Sequence, residues 1–81
     1  MERRPLSPTV ALGKALRDAR RSQEYTQEEL ARATGLQRKT IHSFETGKTD
    51  PRVGTVRRLT AELDMTLAEL FERADELLSD P

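Results

Sequence analysis

Apolar residues recur along most of this chain at intervals of three and four, with no sustained alternation of period two, so the pattern predicts helices and no strands. Leu12, Leu16 and Ala19 line one side of a first helix and leave Lys14, Arg17, Asp18 and Arg21 for water. Ser7 suits the N-cap and Pro8 the first helical position, where its missing donor does no harm. This helix is expected to run to about Ser22, with Glu24 standing where a glycine would end it more comfortably. Thr26-Gln27-Glu28-Glu29 has the form of a capping box, and Tyr25 and Leu30 are spaced to staple it. The second helix then closes at Thr34, because Gly35 can take a left-handed conformation. A third helix from Gln37 to Glu45 or Thr46 stops at Gly47 for the same reason. After the turn Lys48-Thr49-Asp50-Pro51, a fourth helix runs from about Val53 to Leu63, with Val56, Leu59 and Leu63 inward. Thr66 and Glu69 form a second capping box, stapled by Met65 and Leu70, and open a fifth helix. No internal repeat or low-complexity segment stands out.

The stretch from Thr26 to Lys48 carries most of the functional information. Two short helices flank a turn containing Gly35, Ala31 allows a close approach, and Leu30 and Leu36 fill the space beneath. At about 100° per residue, Ile41 and Phe44 share the inward face of the third helix. Arg38, Lys39, His42 and Ser43 share the outward one, which is polar, basic and rich in donors. Such a helix fits a DNA major groove with its N-terminal residues nearest the base edges, where Arg and Lys donate to guanine O6 and N7. Arg38 and Lys39 are therefore the leading base-contact candidates. Gln27 begins the second helix, where free amides and the positive dipole end attract phosphate and its own side chain can add a hydrogen bond. Thr46 and Lys48, beyond the other end of the recognition helix, are candidates for the next phosphates, and Thr26 and Arg52 complete that set.

Composition at first argues against a nucleic-acid partner: 14 Lys and Arg balance 14 Asp and Glu in 81 residues. The distribution reverses that impression. Residues 1–21 and 35–58 each hold six basic residues against two acidic ones, whereas residues 59–81 hold seven acids and only Arg73. Segregation of this kind leaves basic surface to face phosphate. There is no cysteine, and the lone His42 cannot complete a metal site by itself, so no metal or cofactor is expected. No nucleophile and base are paired in a recognisable motif, and a chain of this size leaves little room for a substrate cavity, so an enzyme is not expected. The absence of an apolar run long enough for a leader or a membrane span leads to the expectation of a soluble, cytoplasmic protein.

From Leu12 to Phe71, about three quarters of the chain, the sequence resembles the Cro and phage-repressor helix-turn-helix family, also called the xenobiotic-response-element family. The landmarks are Thr26 to Ala31, Gly35, Ile41, Phe44-Glu45-Thr46-Gly47-Lys48, Asp50-Pro51 and Leu70-Phe71. The resemblance implies an all-α, five-helix, lambda-repressor-like domain with the helix-turn-helix formed by helices 2 and 3. It implies a repressor that binds palindromic double-stranded operators as a homodimer. Base contacts are implied at Arg38, Lys39 and Ser43, with Gln37 a weaker addition and His42 on the same face. Phosphate contacts are implied at Gln27, Thr46 and Lys48. It also implies a partly buried ion pair between Arg20 and Glu45. The sequence departs from the family at Glu24, where glycine is usual, and at Arg52-Val53-Gly54, where a better cap is common. The run from Phe44 to Pro51, with Thr40-Ile41, also resembles HipB-type antitoxins, which autoregulate their operon and bind a kinase-like toxin protein. In that subgroup a strand often follows the fourth helix, whereas the Thr66 capping box predicts a helix here.

Three segments are expected: an N-terminal arm over 1–8, the DNA-binding domain over 9–73, and an extension of the last helix over 74–81. After Thr66, the residues Leu67, Leu70, Phe71, Ala74, Leu77 and Leu78 recur at helical spacing. This stripe is expected to make the dimer contact, with one alternative: Leu77 and Leu78 fold back onto the first helix near Val10 and Leu12.

Overall fold

A computed structural model describes residues 6–79; the expected arm lies outside the described residues over 1–5, and the expected extension over 80–81. Five helices follow one another: α1 (Pro8–Ser22), α2 (Gln27–Thr34), α3 (Arg38–Glu45), α4 (Val53–Glu62) and α5 (Leu67–Ser79). The described residues form no strand. Helices α1, α2 and α5 begin where a free backbone donor finds a side-chain partner. Ser7 accepts from the Val10 amide at 3.1 Å, with Pro8 following as expected. Thr26 accepts from the Glu29 amide at 3.0 Å while Glu29 accepts from the Thr26 amide at 2.8 Å, and Thr66 and Glu69 repeat both bonds at the same lengths. Gln37 and Arg52, by contrast, head α3 and α4 without a side-chain cap. Gly35 closes α2 at φ +74°, a conformation that would strain a residue carrying a Cβ.

One apolar core is shared by all five helices. Leu16, Leu30, Ile41, Leu59, Leu63 and Leu70 are fully enclosed, and Phe44 nearly so. Full burial of each such side chain contributes about 1.5–3 kcal/mol, which is how a chain without disulfides holds together. Gly13, in the middle of α1, sits where α1 crosses the end of α3: a Cβ there would overlap the carbonyl oxygen of Phe44. A glycine in a helix interior costs about 1 kcal/mol relative to alanine, and here that cost permits the contact.

Helix α5 packs chiefly against α1 and also meets α4. This divides the stripe assigned to a dimer contact. Leu70 and Ala74 are buried in the chain's own core, so these two are corrected to intramolecular packing, while Leu67 and Leu77 pack against it half-buried. The reason is geometric: α5 packs on α1, and the two side chains enclosed there have no surface left for a partner. Phe71 and Leu78, rotated off that seam, remain exposed at 43% and 38%.

The turn between α1 and α2 recurs, forty residues later, between α4 and α5. Glu24 and Asp64 both have positive φ, at 61° and 56°. The Tyr25 amide donates to Arg20 O at 3.1 Å and the Met65 amide to Thr60 O at 2.8 Å, so both turns close the same five-residue loop. The two turns also touch. The Gln23 carboxamide donates to Leu63 O, and the Tyr25 hydroxyl donates to Glu62 at 2.5 Å, a bond that raises the Tyr25 pKa.

Candidate nucleic-acid interface

Helix α3 has one wet face and one dry one. Ile41, Phe44 and Glu45 are buried, Ser43 is half-buried, and Gln37, Arg38, Lys39 and His42 are exposed. The buried side docks α3 against α1 and α2, leaving the basic side outward. Arg38 and Lys39 stand in its first turn, the end that reaches base edges when such a helix enters a major groove.

What holds α3 at its angle is an ion pair rather than apolar contact alone. The Arg20 guanidinium meets the Glu45 carboxylate with two bonds, Nε to Oε2 at 2.6 Å and Nη2 to Oε1 at 2.9 Å. The two side chains are only 8% and 2% exposed. A third donor of Arg20, Nη1, reaches Tyr25 O at 2.7 Å and so ties the same pair to the α1–α2 turn. A bidentate, charge-assisted contact of this kind fixes direction as well as distance.

The candidate phosphate contacts differ in what their side chains have free. The side chains of Lys48 and Arg52 are exposed and make no hydrogen bond or ion pair among the described residues. The Thr46 hydroxyl donates to His42 O at 2.9 Å, and Thr26 is engaged in the capping box. Gln27 is half-buried, and its carboxamide turns inward: Nε2 donates to Glu45 Oε1 at 3.0 Å, and Oε1 accepts from Arg38 Nη1 at 3.2 Å. One N–H of its carboxamide is thus engaged by Glu45 and its oxygen by Arg38, which leaves a second side-chain N–H and the backbone amide at the start of α2. The same capping box that opens α2 pulls the Glu29 pKa down, first through the Thr26 amide and then through the Thr26 side chain. Glu29 therefore stays ionised in the first turn of α2, where a negative charge suits the positive end of the helix dipole.

Gly13 and Gln23 belong to the scaffold of this site and escape a reading based on periodicity. A signal for Gly13 existed, since an isolated glycine inside a helical pattern usually marks a close backbone approach. Gln23 carried none. Among the described residues no group of His, Asp and Glu has the makeup of a metal site, and no helix is long and apolar enough to cross a membrane.

A short helix presented across a tight turn, with a donor-rich face outward and an ion pair behind it, defines a helix-turn-helix DNA-binding module. The helix-turn-helix family model matches residues 16–70, and the chain belongs to that family, in its Cro/C1-type branch of DNA-binding transcriptional regulators. Its fold is similar to the crystal structure of the clp gene regulator ClgR from C. glutamicum, with a TM-score of 0.90, 22% identity, and coverage of 96% of this chain and 100% of that one. It is also similar to the restriction-modification controller protein C.AhdI from Aeromonas hydrophila, with a TM-score of 0.74, 31% identity, and coverage of 76% of this chain and 94% of that one. No curated protein sequence matches.

Proposed function

We propose that the protein is a repressor that occupies a palindromic operator as a homodimer, with α3 of each copy in the major groove. The observation that carries this reading is the exposed first turn of α3, where Arg38 and Lys39 project from a helix clamped by Arg20 and Glu45. Arg38, Lys39 and Ser43 read bases, with Gln37 and His42 beside them, and Lys48 and Arg52 hold phosphates. Phe71 and Leu78 form the self-contact, since a two-fold interface sets two recognition helices one DNA turn apart, about 34 Å, with a single patch. The structural neighbours named as a gene regulator and a controller protein support regulation as the task. The antitoxin alternative expects a strand after the fourth helix. Helix α5 stands there, so the repressor reading is preferred.

Selection of duplexes from a random pool tests this. Two inverted half-sites are expected, and Arg38→Ala relaxes one position in each, because a bidentate base contact discriminates by about 1–3 kcal/mol. Lys48→Ala weakens all duplexes alike and lowers the salt slope by about one. Sedimentation of Phe71→Ser on the selected duplex gives a weaker second binding step. A single, unpaired half-site, or an Arg38→Ala protein with unchanged base preference, overturns the assignment.

A further inference from the structure

We propose that the groove between the start of α1, the stretch leading into α4 and the second half of α5 binds a small organic cation, an apolar ring system that carries an ammonium group. The site stands apart from the reading of DNA; its regulatory consequence rests on the assignment of Phe71 and Leu78 to the self-contact.

Exposed apolar surface is gathered in one place. Among the described residues four large apolar side chains are exposed, and three of them, Val53 at 65% with Phe71 and Leu78, line one cavity of about 340 Å³. Leu12, Pro51 and Val56 line it too. The hollow has a local cause: Phe71, Ala74, Asp75 and Leu78 share a face of α5 at spacings of three and four, and the alanine between larger side chains leaves room. A volume of this size lies at the lower end of ligand pockets, enough for a compact ring system and too small to seat a helix.

The polar groups of the lining say what such a body must carry. Asp50 and Asp75 are its charged residues, and no Lys, Arg or His accompanies them among the described residues. The Thr9 hydroxyl already donates to Asp50, and Asp75 is exposed and meets no donor among the described residues. Pro8 and Pro51, also in the lining, have no amide proton to offer. Carboxylates only accept, so the groove has acceptors to spare and no side-chain proton to give. A molecule that completes this set donates hydrogen bonds and is positive. An anion is repelled, and a neutral apolar molecule leaves the carboxylates unmet.

The same signs decide against a second copy of the chain as the occupant. Two copies can meet through Phe71 and Leu78 at the edge of the groove, but a second α5 laid into its depth would bring Glu72, Asp75 and Glu76 onto Asp50 and Asp75. A cation seated against Phe71 and Leu78 instead covers surface that the partner copy uses, so the two exclude each other and binding of the cation weakens the dimer.

The test titrates the full-length protein with 2-phenylethylamine, with its neutral counterpart 2-phenylethanol and with the anion 3-phenylpropanoate, followed by methyl NMR signals. Expected is saturable movement at Leu12, Val53, Val56 and Leu78 and none at Leu30, which lies outside the groove. The amine binds about three- to tenfold more tightly than the alcohol, as one or two exposed ion pairs allow, and the anion binds most weakly. Added salt narrows that gap. Asp75→Asn narrows it too and leaves the alcohol unchanged. Val53→Arg, at a position exposed enough to spare the core, sets a cation on the rim and displaces the amine. No saturation by the amine, equal affinity for the three probes, or a gap undiminished in both variants overturns the proposal. Sedimentation on the selected duplex then reads the consequence: saturating amine weakens the second binding step as Phe71→Ser does. A step unchanged by Phe71→Ser defeats the self-contact reading and leaves the cation site standing. A step weakened by Phe71→Ser and untouched by bound amine overturns the link between site and dimer.

Discussion

The α1–α2 turn and the α4–α5 turn are built alike and used differently. Both have a left-handed residue, then a half-buried or buried staple residue, Tyr25 or Met65, then a threonine capping box leading to a buried leucine, Leu30 or Leu70. At the position that closes each loop, the first turn has Arg20 and the second has Thr60, both buried. Thr60 satisfies itself locally by donating to Arg57 O at 3.1 Å. Arg20 instead reaches across to Glu45 in α3. One residue after each capping threonine, the first turn has Gln27 bonded to Glu45 and Arg38, and the second has Leu67 packed on the core. Local sequence thus makes the turn, and two positions that differ between the copies tie the first turn to α3 and leave the second to close the domain.

Removing the long-range anchor should have the largest effect. Glu45→Ala leaves the buried Arg20 charge unpaired and is expected to cost about 3–5 kcal/mol, whereas Thr60→Ala, losing one local hydrogen bond, costs about 1 kcal/mol. Urea denaturation of both variants measures the gap. Equal costs would mean that the first turn is held no differently from the second.

The capping boxes should prove equivalent for folding and unequal for binding. Thr26→Ala and Thr66→Ala each cost about 1 kcal/mol of stability, but only the first lowers operator affinity, because α2 packs against α3 whereas α5 packs chiefly against α1. Their glutamates add a pH dependence of one sign. Glu29 and Glu69 both have pKa values below the ordinary glutamate value, owing first to the amides of Thr26 and Thr66. Their contribution is therefore complete above that ordinary value and is lost as pH falls through the lowered folded value. Glu29→Gln and Glu69→Gln should each lose less stability on acidification than the parent protein. A variant whose acid limb is as steep as the parent's would remove that glutamate from the account.

The smallest effects lie at the left-handed residues. Glu24→Gly relieves a strained backbone and should gain about 0.5 kcal/mol, while Asp64→Gly gains less, since aspartate tolerates this conformation better. Thermal melting of the two single variants ranks them; a loss at Glu24 would mean that its side chain does something its conformation conceals.

What could be read from sequence was whatever depends on near neighbours along the chain. The five helices, both capping boxes, the discomfort at Glu24 and the two faces of α3 all follow from spacings of three and four residues and from the chemistry of helix ends. The ion pair between Arg20 and Glu45 came from resemblance rather than periodicity, because nothing local relates residues 25 apart. Tertiary structure alone decided the rest. Gly13 had to be bare because α1 and α3 cross there, and Gln27 turned inward because that crossing brings Glu45 within reach of its amide. The stripe on α5 split, with Leu70 and Ala74 inside and Phe71 and Leu78 outside, once α1 took one side of it. A helical pattern says which residues share a face; the angle at which two helices meet, set by side chains distant in sequence, decides how wide that face is and what it touches.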